Sequence, residues 1–390
     1  MTAPTAKKRV SAEPEGPARE AAFADALEVL KERRDEFNDQ GFVPRDYIDL
    51  LKKAGLFRAS TPKRFGGDAI NPARFLERIE AISEIDPATG WVASFGSALQ
   101  YFSALPVETQ EEIYADGPDL VYAGGHFPMQ EAEEVEGGYL CTGKWLFGSG
   151  CAGADLIGVG LKGGPEAKGK PVTAVFPADQ VEIVTNWDVS GMRATGSNEL
   201  VLDKAFVPKE WTFIRGGEPK IDEPLNRYPG VAYAAQVLSV TSLGAARAAL
   251  DYTREVGAAG SSITGGQKKG DRGTYQMGLA QAEAKVRSAR AFFYDETERV
   301  WALAEADAEI SPETAAILRL ATSNLAHVCR EAILTCFDLA GTGAIYRNHP
   351  LQRYLQDGLV PAQHAMLQTN TIEATGAVLL GAQVTIPSFP

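Results

Sequence analysis

Cysteine is scarce in this chain, histidine equally so, and no apolar run is long. The four cysteines, Cys141, Cys151, Cys329 and Cys336, lack metal-ligand spacing and are too few to frame 390 residues with disulfides. No metal centre is therefore expected, and a reducing cytoplasm suits the thiols. No apolar stretch approaches the roughly 18 residues that cross a bilayer, and the N-terminus has no apolar signal core. Neither a membrane span nor a leader is predicted. Basic residues are in deficit, 38 against 51 acidic ones, which leaves a net charge of −13. That balance argues against nucleic acid and anionic membrane surfaces as partners, and says nothing about which small ligand is bound. No nicotinamide-binding Gly-x-Gly-x-x-Gly turn is read after a strand, so reducing power is expected from elsewhere.

What the chain does have is apolar content, 45%, over a length that exceeds a single core. Residues 1–19, rich in Ala, Pro, Glu and Lys, read as a disordered tail. Residues 20–119 read as an N-terminal helical domain. Phe23, Leu27, Leu30 and Phe37 recur at helical spacing, Pro44 opens a helix that Gly55 ends, and Pro72 starts another that Asp86-Pro87 breaks. Thr89–Phe102 and Val107–Tyr114 are predicted as two more. Residues 120–213 read as a β-domain, because Leu156–Leu161, Val172–Phe176 and Val181–Val184 are short β-rich runs separated by Gly, Pro and Asp. Residues 214–390 are helical again, with long segments over Val231–Val256, Thr274–Ala304 and Pro312–Leu339 and a final pair over Pro350–Leu380. That pattern predicts an up-down four-helix bundle, and the fold class is α+β. Ala248, Ala249, Ala280, Ala284 and Ala289 favour close interfaces, so a homo-oligomer packed through the bundle is expected.

The stretch Gly137–Ser197 is the richest in signals. Gly148, Ser149 and Gly150 let backbone approach a flat ligand, and Trp145 and Phe147 could wall it, although Gly-Ser-Gly is also an ordinary turn. With a helical domain before it and a bundle after it, the chain resembles the acyl-CoA dehydrogenase superfamily. The resemblance rests on Ala54-Gly55-Leu56-Phe57 with Pro62 and Phe65-Gly66-Gly67, on Asp86 with Gly90-Trp91, and on Gly138-Tyr139 through Trp145 and Phe147-Gly148-Ser149-Gly150. It continues in Gly191-Met192-Arg193, Thr195-Gly196-Ser197, Val207-Pro208, Gly341-Thr342-Gly343, Leu351-Gln352-Arg353 and Asp357. Each motif alone is weak; their shared order and spacing identify the superfamily.

Within it the chain looks most similar to the oxygenase components of two-component flavin-dependent monooxygenases, such as 4-hydroxyphenylacetate 3-hydroxylase. Dehydrogenases of the superfamily need a carboxylate to take a proton from the thioester, about eight residues after the counterpart of Asp357. Here that place is Ala365, with His364 beside it and Glu373 two helical turns further on. The resemblance therefore implies reduced FMN or FAD delivered by an NAD(P)H-dependent flavin reductase, addition of O2 at flavin C4a, and oxygenation of an aromatic or heteroaromatic molecule. The hydroperoxide so formed decays if water reaches it, so the site needs apolar walls. The expected assembly is a homotetramer.

The same resemblance distributes roles. Phe147, Gly148 and Ser149 would lie against the flavin, with the Ser149 hydroxyl or amide near N5, while Thr195 and Ser197 would bond its phosphate or ribityl chain. Arg272 would reach the flavin of a neighbouring subunit, Gly341 and Gly343 would approach it across the interface, and Arg353 would help to position it. Catalysis would fall to His364 with Ser149, since an imidazole can deprotonate a phenol or donate a hydrogen bond near neutral pH. The plain alternatives stay open: a helix histidine bonded to a carbonyl, an ordinary turn at Ser149, a solvated Arg272, an Arg353–Asp357 pair within one helix. Trp91, Tyr101 and His126 are the expected substrate contacts, and His327 and His349 read as structural. Some relatives carry a substrate-facing histidine about eight residues after Trp91, where this chain has Ala98-Leu99-Gln100-Tyr101. That predicts a more apolar substrate than hydroxyphenylacetate. The alternatives are an acyl-CoA dehydrogenase with bound FAD and a non-catalytic ligand-binding scaffold of the same fold.

Overall fold

Helix α1 (Gly16–Gln40) buries Phe23, Ala26, Leu30 and Phe37 on one side, the spacing that its sequence sets. The structure is a computed structural model that describes residues 16–164, 167, 170–259, 268–384, 386 and 389. The helix begins at Gly16 rather than Glu20, so the end of the expected tail is helical; residues 1–15 lie outside the described residues. Helix α2 (Arg45–Lys53) follows Pro44, and Gly55 beyond it takes a left-handed φ of 82°. Helix α3 (Pro72–Ile85) is capped by Asn71, whose side chain accepts the Ala73 N–H. Asp86 ends α3 and caps α4 (Pro87–Ala93), its carboxylate accepting the Thr89 N–H at 2.8 Å. The helix expected over Thr89–Phe102 is not one piece. From Ser94 to Ala104 the chain is a 3-10 helix, where Ser94, Ser97 and Ser103 each donate to the carbonyl three residues back. Helix α5 (Val107–Ile113) completes this part.

Eight strands follow: β1 (Tyr122–Gln130), β2 (Ala132–Val135), β3 (Gly138–Gly148), β4 (Leu156–Leu161), β5 (Val172–Pro177), β6 (Glu182–Val184), β7 (Asn198–Pro208) and β8 (Thr212–Ile214). They form one sheet in the order β6-β7-β3-β1-β4-β5-β8, with β2 added to β3, and only β1 and β4 run parallel. Its own core holds Cys141, Trp145, Ile157, Val159, Phe176, Leu200 and Leu202. Trp145 is fully buried there and donates from Nε1 to the Gly160 carbonyl at 2.7 Å. It therefore packs the β-domain and does not wall a ligand, contrary to expectation. Phe147, two residues on, would share its face in a regular strand. A bulge intervenes: Trp145 pairs with Leu200 and Gly148 with Asn198, three steps against two, and Phe147 takes a φ of 63° and turns outward. Gly148, Gly150 and Gly153 do carry the dinucleotide glycine spacing after β3, contrary to the reading of the sequence. They lead into a 3-10 turn and β4 rather than a helix, so the helix N-terminus that would hold a pyrophosphate is missing.

After the short α6 (Pro224–Arg227) come α7 (Gly230–Ala259), α8 (Gly273–Glu305) and α9 (Pro312–Ala340), then α10 (Pro350–Gly358) and α11 (Thr369–Leu379). Three helices rather than four are long. The fourth position is shared by α10, on α7 and α9, and α11, on α9, because Pro350 and Pro361 punctuate that part of the chain. The bundle and the N-terminal helices share one apolar core. At their contact a methyl group on Gly244 of α7 would lie 2.5 Å from Ser83 of α3, so only glycine permits the approach. No described helix is long and apolar enough to cross a membrane.

Candidate active site

Trp91 and His364 meet where α4 faces the turn after α10. Trp91 is 7% exposed, and its ring stands edge-on to the imidazole with centroids 5.9 Å apart. His364 follows the 3-10 turn Pro361–Gln363 in an extended conformation, and its Nδ1 accepts the Met366 N–H at 3.3 Å. The ring proton then belongs on Nε2, which has no partner among the described residues. Burial pulls the His364 pKa down to about 4, and the charges of Arg215 and Arg319 push the same way. At neutral pH the imidazole is uncharged and offers a donor, Nε2–H. This departs from the expectation of a phenol-deprotonating base, which needs a lone pair at the nitrogen facing its substrate. Among the described residues no acid contributes to the shift, and Glu373, on α11, is exposed.

The other two expected substrate contacts are linked to this pair through Arg215, whose charge reaches both His126 and His364 and whose guanidinium lies over Tyr101. Tyr101 donates to the Gly230 carbonyl at 3.2 Å, and the Arg215 guanidinium lies 5.1 Å from its ring centre. His126, on β1, is held uncharged by burial and then by the charge of Arg215. Arg215 and Arg319 themselves went unnoticed in the sequence. A lone Arg319 within Ala315-Ala316-Ile317-Leu318 and Leu320-Ala321 was the available signal. Nothing in its own neighbourhood singles out Arg215.

Ser149, Thr195 and Ser197 also converge. Ser149 Oγ lies 2.6 Å from Ser197 Oγ, which lies 2.6 Å from Thr195 Oγ1, and Thr195 donates to the Met192 carbonyl at 2.8 Å. Each hydroxyl has one proton, so the order is forced: Thr195 to Met192, Ser197 to Thr195, Ser149 to Ser197. The Ser149 amide is spent on the Phe147 carbonyl at 2.8 Å. What remains at Ser149 is an oxygen lone pair, an acceptor. Beside it Phe147 is 63% exposed and stands edge-on to Trp187, 6.1 Å away. An open aromatic next to an acceptor fits reduced flavin, whose flat ring carries a donor at N5. Gly148 answers a packing need, since a methyl there would meet Leu200 at 2.8 Å.

The remaining expected flavin contacts lie elsewhere. Lys269 donates to the Ala340 carbonyl and so ties the turn before Arg272 to the one that holds Gly341 and Gly343. Arg272 is exposed, Gly341 takes a φ of 67°, and a methyl group added at either glycine would meet no heavy atom within 4 Å. No hydrogen bond, ion pair or ring contact joins this group to Ser149 among the described residues. Arg353 pairs with Asp35 of α1 at 2.5 Å and not with Asp357, whose carboxylate accepts the Met192 N–H at 2.6 Å. These two residues clamp α10 to α1 and to the loop before Thr195. His327 bonds the Leu367 carbonyl, and His349 lies 3.2 Å from the Tyr252 hydroxyl.

Comparison with known proteins adds family to geometry. The acyl-CoA dehydrogenase C-terminal domain matches residues 236–369. An indole-3-acetate monooxygenase of Pseudomonas putida is 43% identical over 367 residues, covering 93% of this chain and 94% of that protein. The oxygenase component of an FADH2-dependent resorcinol hydroxylase from a Rhizobium species is 32% identical, covering 87% and 88%. Among solved structures, a 3-HSA hydroxylase from Rhodococcus superposes with a TM-score of 0.86 at 23% identity, covering 95% of this chain and 98% of that one. A Streptomyces protein, XiaF, solved with FADH2, gives 0.85 at 22% identity, covering 95% and 98%.

Proposed function

Because the chain belongs to the oxygenase components of flavin-dependent monooxygenases built on the acyl-CoA dehydrogenase fold, we propose that it oxygenates an indole-like aromatic ring held against the Trp91–His364 pair. The observation that carries the proposal is the Trp91–His364 contact, an aromatic wall beside a neutral imidazole where a thioester-oxidising enzyme would need a carboxylate. Reduced FMN or FAD, when bound, supplies the two electrons that divide dioxygen between product and water. Phe147 would cover one edge of its ring, and the Ser149 oxygen would accept from N5–H. His364 Nε2–H would hydrogen-bond the substrate or the incoming oxygen, and Trp91 would keep water out. Tyr101 and His126 would line the substrate's far side.

Reduced flavin would come from a separate NAD(P)H-dependent reductase. The chain would work as a homotetramer packed through the bundle, with Arg272, Gly341 and Gly343 reaching a neighbour's flavin. A groove of about 490 Å3 between α8 and α9, lined by Ala284, Ala289, Phe292 and Val328, offers the apolar surface for that packing. Four buried free thiols suit the cytoplasm. The test is direct. Purified protein is mixed with a flavin reductase, NADH, FMN or FAD and indole derivatives, and products are read by mass. Gain of one oxygen that requires both reductase and this chain supports the reading; bleaching of bound flavin by an acyl-CoA with no oxygenated arene refutes it.

A further inference from the structure

Two arginines stand near the Trp91–His364 pair with no acid to answer them among the described residues. Arg319, 4% exposed in α9, donates from one Nη to the Met366 carbonyl at 3.0 Å, and its guanidinium lies 5.5 Å from the Phe389 ring. Its buried Nε–H has no acceptor among the described residues. Arg215, just past β8, is partly buried over Tyr101. Among the described residues no aspartate or glutamate acts on either guanidinium: burial lowers the Arg319 pKa to about 10, while at Arg215, where burial also opposes the charge, the hydroxyls of Tyr101 and Tyr122 outweigh it and the net shift is upward. Other buried or half-buried arginines are treated differently. Arg58 pairs with Asp68 and Asp119, and Arg353 with Asp35.

A guanidinium stays charged throughout the physiological range, and burying it is costly unless an anion or a set of acceptors replaces water. Its planar fork matches a carboxylate. His126 and His364, both neutral, sense the Arg215 charge, so its positive field reaches both imidazoles. Met366 links the parts: its carbonyl accepts from Arg319 and its N–H donates to His364.

We propose that Arg215, aided by Arg319, receives a carboxylate on the substrate, so that the site takes an aromatic acid with its ring against Trp91 and His364. This rests on the oxygenase reading above, and it reverses the expectation of a more apolar substrate drawn from Ala98-Leu99-Gln100-Tyr101. The other source of an anion is the flavin phosphate, and the test separates the two.

The full chain, free of flavin, is titrated calorimetrically with indole-3-acetate and with indole-3-acetamide, which has the same shape without the charge. The acetate is expected to bind at least about tenfold more tightly than the amide. Arg215→Gln should weaken the acetate by about 30-fold to 100-fold and the amide by less than about threefold, with Arg215→Lys between. Equal affinity for the two probes, equal loss of both in Arg215→Gln, or no binding of either at millimolar concentration would overturn the proposal. So would a variant that loses FMN relative to riboflavin while keeping its preference for the acetate. The comparison of probes on the natural chain decides even if a variant folds poorly. Should the acetate preference hold while no arene is oxygenated in the reductase assay, the anion site stands and the oxygenase reading falls.

Discussion

Replacing Ser197 by alanine tests the direction of the hydroxyl chain. Among the described residues Ser197 is the sole acceptor for the Ser149 proton, and Thr195 is committed to the Met192 carbonyl. In the natural chain Ser149 can only accept, which suits the N5–H of reduced flavin and opposes the N5 lone pair of oxidised flavin. Ser197→Ala frees the Ser149 proton to turn toward the ligand, where it can donate to oxidised N5. One hydrogen bond of this kind is worth about 0.5–1.5 kcal/mol net, so the preference for reduced over oxidised flavin should shrink by about 2-fold to 10-fold. Without ligand the same change leaves a buried hydroxyl donor unsatisfied and should cost about 1–3 kcal/mol, seen as a lower denaturant midpoint. Oxidised flavin should restore part of that loss. Both affinities are measurable anaerobically by fluorescence titration. An unchanged ratio of the two dissociation constants would refute either the proton order or the position of flavin beside Ser149.

Three further outcomes follow from the site. In His364→Ala, reduced flavin and dioxygen should still be consumed, but product should fall by a factor on the order of 10² and hydrogen peroxide should replace it, while His364→Gln, which keeps an N–H, should lose less; peroxide and product assays check this. The folded pKa of His364, about 4, lies below its ordinary 6.5, so the unfolded state takes up a proton first and stability falls as pH drops from about 6.5 to 4, by up to about 3 kcal/mol. His364→Gln should flatten that part of the stability curve in urea titrations. Asp357 has the opposite sign: burial, then Asp86, raises its pKa to about 7, so its contribution is lost as pH rises through that value, and Asp357→Asn should make the chain relatively more stable at pH 8 than at pH 5.

Much of the fold was legible because local chemistry wrote it. Pro72 with Asn71 before it starts a helix, Asp86-Pro87 stops one and caps the next, and Leu156–Leu161 is too apolar and too short to be anything but a buried strand. The site was legible only as a set of positions. Strand alternation cannot foresee the bulge that sends Trp145 inward and Phe147 outward. Residue type cannot foresee that the proton of His364 is assigned by a backbone N–H two residues on, or that Arg353 turns to Asp35 on a distant helix rather than to Asp357 one turn away. Both depend on what the tertiary fold brings near.

The missing carboxylate and the unanswered arginines are one feature seen from two sides. A dehydrogenase of this fold supplies the negative charge of its site from its own chain, on a side chain that must stay ionised to take a proton. Had this chain carried such an acid near His364, Arg215 and Arg319 would pair with it, lowering its basicity and closing the cluster to any other anion. With neutral imidazoles at His126 and His364 instead, the positive charge remains for the substrate to satisfy, and His364 remains a donor whatever binds. The exchange of an acid for an imidazole thus changes the reaction and the ligand together. Replacing His364 itself by glutamate should therefore quench the preference for indole-3-acetate over indole-3-acetamide, because the new carboxylate takes the buried place of the imidazole beside Trp91, and the same calorimetric pair reads the result. If His364→Glu left that preference intact, the charges of Arg215 and Arg319 would not be the ones that choose the substrate.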